Sequence, residues 1–141
     1  MLTEMKDLAR QKDICVLATV AGQKPYCSLM AYVTDDNCEK IYMVTHRNST
    51  KYQNMLKNPA VSLLIDTREK SPRSQAKALT VEGVFRKIEH TEKRKQVTAK
   101  LLQTHPHLDS FMQHPEAEVF CVKISSFLLL NGLQQAHFET V

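Results

Sequence analysis

The sequence predicts a mainly β, α+β fold: a small antiparallel barrel of six to seven strands with short flanking helices. Three observations carry that expectation. Short runs rich in apolar and β-branched residues recur along the chain, separated by turns containing Gly, Asp, Asn and Pro. Helical character is confined to brief stretches near residues 2–11, 50–57 and 92–103. A set of strands that large exposes unpaired edges unless the sheet closes or packs on something, so a barrel is favoured over an open sheet.

Each element has a local reason. Leu2, Met5, Leu8 and Ala9 stand at helical spacing and predict a short amphipathic helix. "ICVLATV" (14–20) is a β-rich run, and "AGQKP" after it is a turn. "YCSLMAYV" (26–33) mixes apolar and polar positions as a strand with two unlike faces does; "TDDNCEK" turns the chain into "IYMVT" (41–45). Connections this short predict that these three strands form an antiparallel meander. A helix follows from Thr50 to Lys57, with Thr50 and Gln53 at capping-box spacing and Asn58-Pro59 ending it. "AVSLLID" (60–66) is the fourth strand, "TREKSPRSQ" (67–75) a linker-like turn, and "KALTVEGVFRKI" (77–88) a long strand in which Gly83 marks a bulge or a close backbone approach. After the helix near 92–103, "HPHLDSFMQHP" is a broken helical connection. "AEVFCVKIS" (117–125) and "FLLLNGLQQAHF" (127–138) are two closing strands, the second with a turn or bulge at Asn131-Gly132.

Composition narrows the function. The 141 residues are about the length of one domain, taken as 1–141. No apolar run reaches membrane-spanning length, and the charged, amphipathic N-terminus lacks the apolar core of a signal peptide, so a cytoplasmic protein is expected. Cys15, Cys27, Cys38 and Cys121 form no Cys-x-x-Cys pair and are expected as reduced thiols. A net charge of +4 suits an anionic ligand but not nucleic acid, and the two basic stretches, "TREKSPRSQAK" and "HTEKRKQVTAK", include acids and no stacking aromatics. His105, His107 and His114 lack metal-ligand spacing and are expected at the surface or in a connection; no metal site is predicted. No Ser-His-Asp or Cys-His arrangement emerges, and the catalytic residues stay unknown.

The informative stretch is "THRNSTK" (45–51). A helix starting near Thr50 leaves its first amides unpaired and presents the positive end of its dipole. Arg47 and Lys51 flank that start, and Thr45, Ser49 and Thr50 add hydroxyls. Two cations at a helix N-terminus are unfavourable unless a dianion lies between them, which is the chemistry of a phosphate site. A capped, solvent-exposed helix is the alternative. No Gly-x-Gly-x-x-Gly or Walker-type loop is present.

Residues 17–65 as a whole resemble the pyridoxamine-phosphate-oxidase-like, FMN-binding split-barrel family. "LATV", the Gly22–Pro25 turn, the following strand, an acidic turn, "IYMVT", the Ser-Thr-Lys helix start and "NPAVSLLI" occur in the family's order, and "ALTVEG" is loosely similar to its later strand. The resemblance implies a split barrel that forms a homodimer with FMN at the subunit interface. Thr50 and Lys51 would contact the phosphate with Arg47 and Ser49 beside them, and Val44 and Thr45 would line the ring edge or ribityl chain. Ser28, Leu29 and Met30 would offer backbone groups to the isoalloxazine. Ala78 stands where some relatives supply a glutamine from the partner, so that ligand would be missing. The implied function is an FMN-dependent oxidoreductase acting on a small molecule, with a nicotinamide as a possible reductant. It would not be a true pyridoxamine phosphate oxidase, because the chain has no Trp and no Arg after Arg94 to form that enzyme's substrate-closing C-terminal segment. The alternatives are a flavin or haem carrier or sensor, a haem-degrading split barrel, and a split barrel that has lost its cofactor and acts as a dimeric binding module.

Overall fold

A computed structural model describes residues 1–141. The elements in chain order are α1 (Leu2–Gln11), β1 (Ile14–Ala21), β2 (Lys24–Ala31), β3 (Val33–Thr34), β4 (Lys40–His46), α2 (Thr50–Lys57), β5 (Ala60–Asp66), β6 (Lys77–Lys87), α3 (Thr91–Thr104), a 3-10 turn (Pro106–Leu108), α4 (Asp109–Gln113), β7 (Ala117–Asn131) and β8 (Gln135–Thr140). All pairings are antiparallel, and the strands run β2-β1-β5-β6-β7-β4-β3, with β8 also on β7. This is a curled, mainly β split barrel with short helices attached.

Two features differ from the expectation. First, the expected three-strand meander forms only as far as its β1–β2 hairpin: β4 pairs with β3 and β7 and makes no ladder with β2. Tyr32, between β2 and β3, diverts the chain. It is fully buried, its amide donates to Asp13 O, and its hydroxyl donates to Ala9 O at 2.6 Å. His105 Nε2 donates to its carbonyl at 3.0 Å. The chain is thereby carried from one end of the strand order to the other, which curls the sheet. His105 is correspondingly buried, not superficial, so its role is a structural tie. Second, "AEVFCVKIS" and "FLLLN" are one strand. β6 pairs along almost all of β7, while the other side of β7 pairs first with β4 and then with β8. Ladder hydrogen bonds override the weak strand propensity of Ser125-Ser126. With the two-residue β3, the strands number eight.

Two apolar layers hold the sheet. The barrel interior contains Leu17, Met43, Leu63, Phe120 and Phe127, all buried, and is closed by Met5 and Leu8 of α1. Each such side chain contributes about 1.5–3 kcal/mol by leaving water. On the outer face, Val97 and Leu101 of α3 pack on Tyr42, Val44, Val119 and Cys121. β4 therefore faces the interior with Ile41, Met43 and Thr45 and faces α3 with Tyr42 and Val44. Gly83 is the expected bulge: the register with β7 shifts at Glu82/Gly83, and a Cβ there would lie 2.5 Å from Val122 Cγ1 and 2.8 Å from Lys123 O. The Asn131-Gly132 turn separates β7 from β8, with Gly132 at φ +71°.

Candidate functional site

β4 ends at His46 and α2 begins at Thr50, so three residues turn the chain through the polar stretch. The cap is Ser49 instead of Thr50: Ser49 Oγ accepts from Tyr52 N at 3.3 Å and lies 3.1 Å from Thr45 Oγ1. Gln53, the other half of the expected capping box, donates its side-chain amide to Arg47 O at 2.7 Å. The capping chemistry is therefore shifted by one residue, because β4 and its Thr45 hydroxyl position Ser49 at the helix start. The amides of Thr50 and Lys51, first and second in the helix, have no intrahelical acceptor. Thr50 is exposed, and half-buried Lys51 has no carboxylate partner. Lys57 in the last turn complements the negative end of the helix.

Arg47 behaves differently from Lys51. Its Nη1 donates to Glu118 Oε1 at 3.2 Å, its Nη2 to Pro115 O at 2.9 Å, and its Nε lies 3.4 Å from Glu116 Oε2. Arg94 grips the same acid, with Nη1 2.8 Å from Glu118 Oε2. Glu118 is buried beside Thr45 in the β4–β7 ladder. Burial is the largest influence on its carboxyl and favours the neutral form, but the hydrogen bonds and charges of Arg94 and Arg47 together outweigh it and hold the pKa below the ordinary carboxylate value. The hydrogen bond to Glu118 in turn raises Arg94. This Arg47–Glu118–Arg94 bridge ties the turn before α2 to β7 and α3. Sequence reasoning missed it; its one signal was an acid at the inward-facing position of "AEVFCV".

The remaining candidates fall in two places. Val44 packs beneath α3, whereas Thr45 is buried at the end of the interior face beside Ser49. Ser28, Leu29 and Met30 lie on β2, the last strand at one end of the order, whose outer ladder groups have no strand partner. Leu29 is 76% exposed and Met30 is buried. α2 reaches that region through Asn54, whose Nδ2 donates to Thr19 Oγ1 at 3.1 Å; Thr19 is the ladder partner of Tyr26. Thr45, Ser49, Thr50 and Lys51 thus come together, Arg47 is turned to carboxylates, and Val44 is separated by the sheet. His46 stacks on Phe111 at 4.0 Å and on His114 at 4.4 Å and donates to Phe111 O. No cluster of three His, Cys, Asp or Glu side chains forms a metal cage, and no helix is long and apolar enough to cross a membrane.

Against known proteins, the family model described as pyridoxamine 5'-phosphate oxidase matches residues 1–130. The chain belongs to this family. No curated protein sequence matches it. Among solved structures it is similar in fold to a heme binding protein from Mycobacterium smegmatis, with 17% identity and TM-score 0.84 over 97% of this chain and 56% of that one. It is also similar to an FAD-binding protein from Mesorhizobium loti, with 17% identity and TM-score 0.76 over 92% and 93% of the two chains. A third is HutZ, a heme storage protein from Vibrio cholerae, with 21% identity and TM-score 0.71 over 96% and 92%. The chain spans little more than half the length of the Mycobacterium protein. At these identities the likeness establishes the split-barrel fold, in agreement with the family match.

Proposed function

We propose that this split barrel binds FMN as a homodimer and works as a flavin-dependent oxidoreductase on a small molecule. The observation that carries the reading is the start of α2. Unpaired first-turn amides, the Thr50 hydroxyl and the unneutralised Lys51 ammonium form a donor set suited to a phosphate monoester. The Thr45–Ser49 hydroxyl pair stands beside them. Arg47 acts as a positioning residue: its side chain, held by Glu118 and Glu116, fixes the turn, and its carbonyl anchors Gln53 of α2. Free ladder groups along Ser28–Met30 suit the hydrogen-bonding edge of a flavin ring. When bound, FMN would supply the hydride or electron transfer; the protein would hold the phosphate, orient the ring and shield it from water.

Pairing of two copies is supported by apolar residues left on the surface. Leu128 and Phe138 are ladder partners on β7 and β8, 42% and 63% exposed, and Leu29 is still more open. Sedimentation measures this directly, and a monomer at micromolar concentration would count against it.

The visible spectrum of the purified protein tests the cofactor. Flavin bands, or flavin fluorescence quenched on FMN titration, support the reading. A Soret band instead selects haem, the second ligand consistent with the fold, and a colourless protein that ignores both sinks both. Anaerobic bleaching by NADH or NADPH separates an oxidoreductase from a carrier.

A further inference from the structure

At the opposite end of β4 from Lys51, a concavity of about 360 Å³ opens between the sheet and the start of α3. Lys40, Arg86, Lys87, Lys93 and Lys123 line it, and none forms an ion pair. Glu89 is the sole acid of its wall. The ladder register dictates this crowding. Lys40 of β4 is the direct partner of Lys123 of β7, and Arg86 of β6 stands opposite Cys121, which stands opposite Tyr42. Like charges placed directly opposite on a sheet repel. α3 adds to the positive potential: its cap, His90, and its first-turn Lys93 both line the space, and Lys93 Nζ lies 5.3 Å from the centre of the Tyr42 ring.

A second observation is independent of charge. Tyr42 is 97% buried, being 3% exposed, and its hydroxyl is the one buried side-chain polar atom with no hydrogen-bond partner. Buried polar groups are almost always satisfied. This one belongs to a side chain forming the wall of the basic concavity, under the ammonium of Lys93.

We propose that this concavity is a second ligand site, separate from the start of α2, for a small phosphorylated molecule bearing two or more negative charges. The full length of β4, about 20 Å, lies between the two sites. A polyphosphate group would convert the Lys40–Lys123 repulsion into shared attraction and engage Arg86 and Lys93 from adjoining elements. Movement of Lys93 toward it would open the Tyr42 hydroxyl as a further donor. The proposal does not depend on FMN being the cofactor.

Inorganic pyrophosphate is the probe, titrated into the full chain in a low-salt buffer free of phosphate and followed by calorimetry and amide NMR. Binding should shift the amides of Tyr42, Lys93 and Cys121. Read at those three amides, the Lys93→Ala/Lys123→Ala double variant should lose at least tenfold in affinity, whereas Lys51→Ala, which alters only the separate phosphate grip at α2, should leave the affinity read there within twofold. Because Lys123 is exposed and Lys93 partly so, the double variant should fold; an unchanged NMR dispersion checks this, and Lys123→Arg should keep the binding. The site is overturned by no binding to the parent chain, by undiminished binding to the folded double variant, or by shifts confined to Thr50 and Lys51. It is also overturned if sodium chloride at equal ionic strength produces the same shifts.

Discussion

Both ends of β4 gather basic side chains, but they reach opposite electrostatic solutions. At the C-terminal end, Arg47 and Arg94 are both committed to Glu118, with Glu116 assisting, so Lys51 alone is left for a ligand. At the N-terminal end, Lys40 and Lys123 face each other across the ladder with Arg86 and Lys93 nearby, and none of the four forms an ion pair, although Glu89 stands in the same wall. The first end uses paired charge to build a rigid turn and keeps one cation in reserve. The second stores unrelieved repulsion. A count of basic residues in the sequence does not separate these cases; the placement of one acid, Glu118, does.

Removing that acid should have the largest effect on the comparison. Glu118→Gln leaves two guanidiniums without their shared carboxylate. It should cost about 2 kcal/mol, because breaking a partly buried pair is costly even where its formation is nearly neutral. For a chain of this size that lowers the melting temperature by about 5 °C. A variant that melts with the parent would mean that the bridge is solvated and contributes little.

Next in size is Lys51→Ala, which should weaken FMN binding about tenfold to a hundredfold, since a charge-assisted phosphate contact contributes about 1.5–3 kcal/mol. The change should appear in a fluorescence titration with the fold intact. Arg47→Ala should instead lower thermal stability together with affinity, as expected of a residue that holds the turn. Equal affinity in parent and Lys51→Ala would refute the grip at α2.

The pH dependence sharpens the same contrast. The folded pKa of Glu118 lies below its ordinary value of 4.5, so the folded state favours the ionised acid. Its contribution is fully present above about pH 4.5 and is lost as the pH falls through the lower folded value. Denaturant melts of the parent between neutral pH and the acid range should therefore show a loss of stability that Glu118→Gln largely lacks. At the other end of β4, Lys40→Ala should raise stability slightly, by about 0.5 kcal/mol, through relief of the repulsion with Lys123. That gain should vanish when pyrophosphate is present.

The smallest effect concerns the thiols. Burial raises Cys15 to about 12 and Cys121 to about 11, whereas Cys27 is exposed on β2. Mass spectrometry after brief alkylation of the native protein should find the label on Cys27 alone. If Cys121 were labelled as readily, the floor of the basic concavity would be open in solution.

Local chemistry made much of the fold legible. The span of α2 follows from its polar start and Asn58-Pro59, the Gly83 bulge from a glycine within a β-branched run, and the barrel class from short alternating strands. The ordered features from Leu17 to Ile65 also pointed to the family to which the chain belongs. Partner choice was not legible. Nothing in "YCSLMAYV" says that Tyr32 will leave the ladder for Ala9 and His105, nor in "AEVFCVKISSFLLLN" that two serines will be carried through a continuous strand. Nothing in "THRNSTK" says that Arg47 will turn to an acid on a strand 71 residues away. Local sequence sets backbone preference and the supply of charges, because these depend on each residue and its near neighbours. Which strand pairs with which, and so which charges meet an acid and which meet only one another, is decided by long-range contacts that exist only once the sheet has closed.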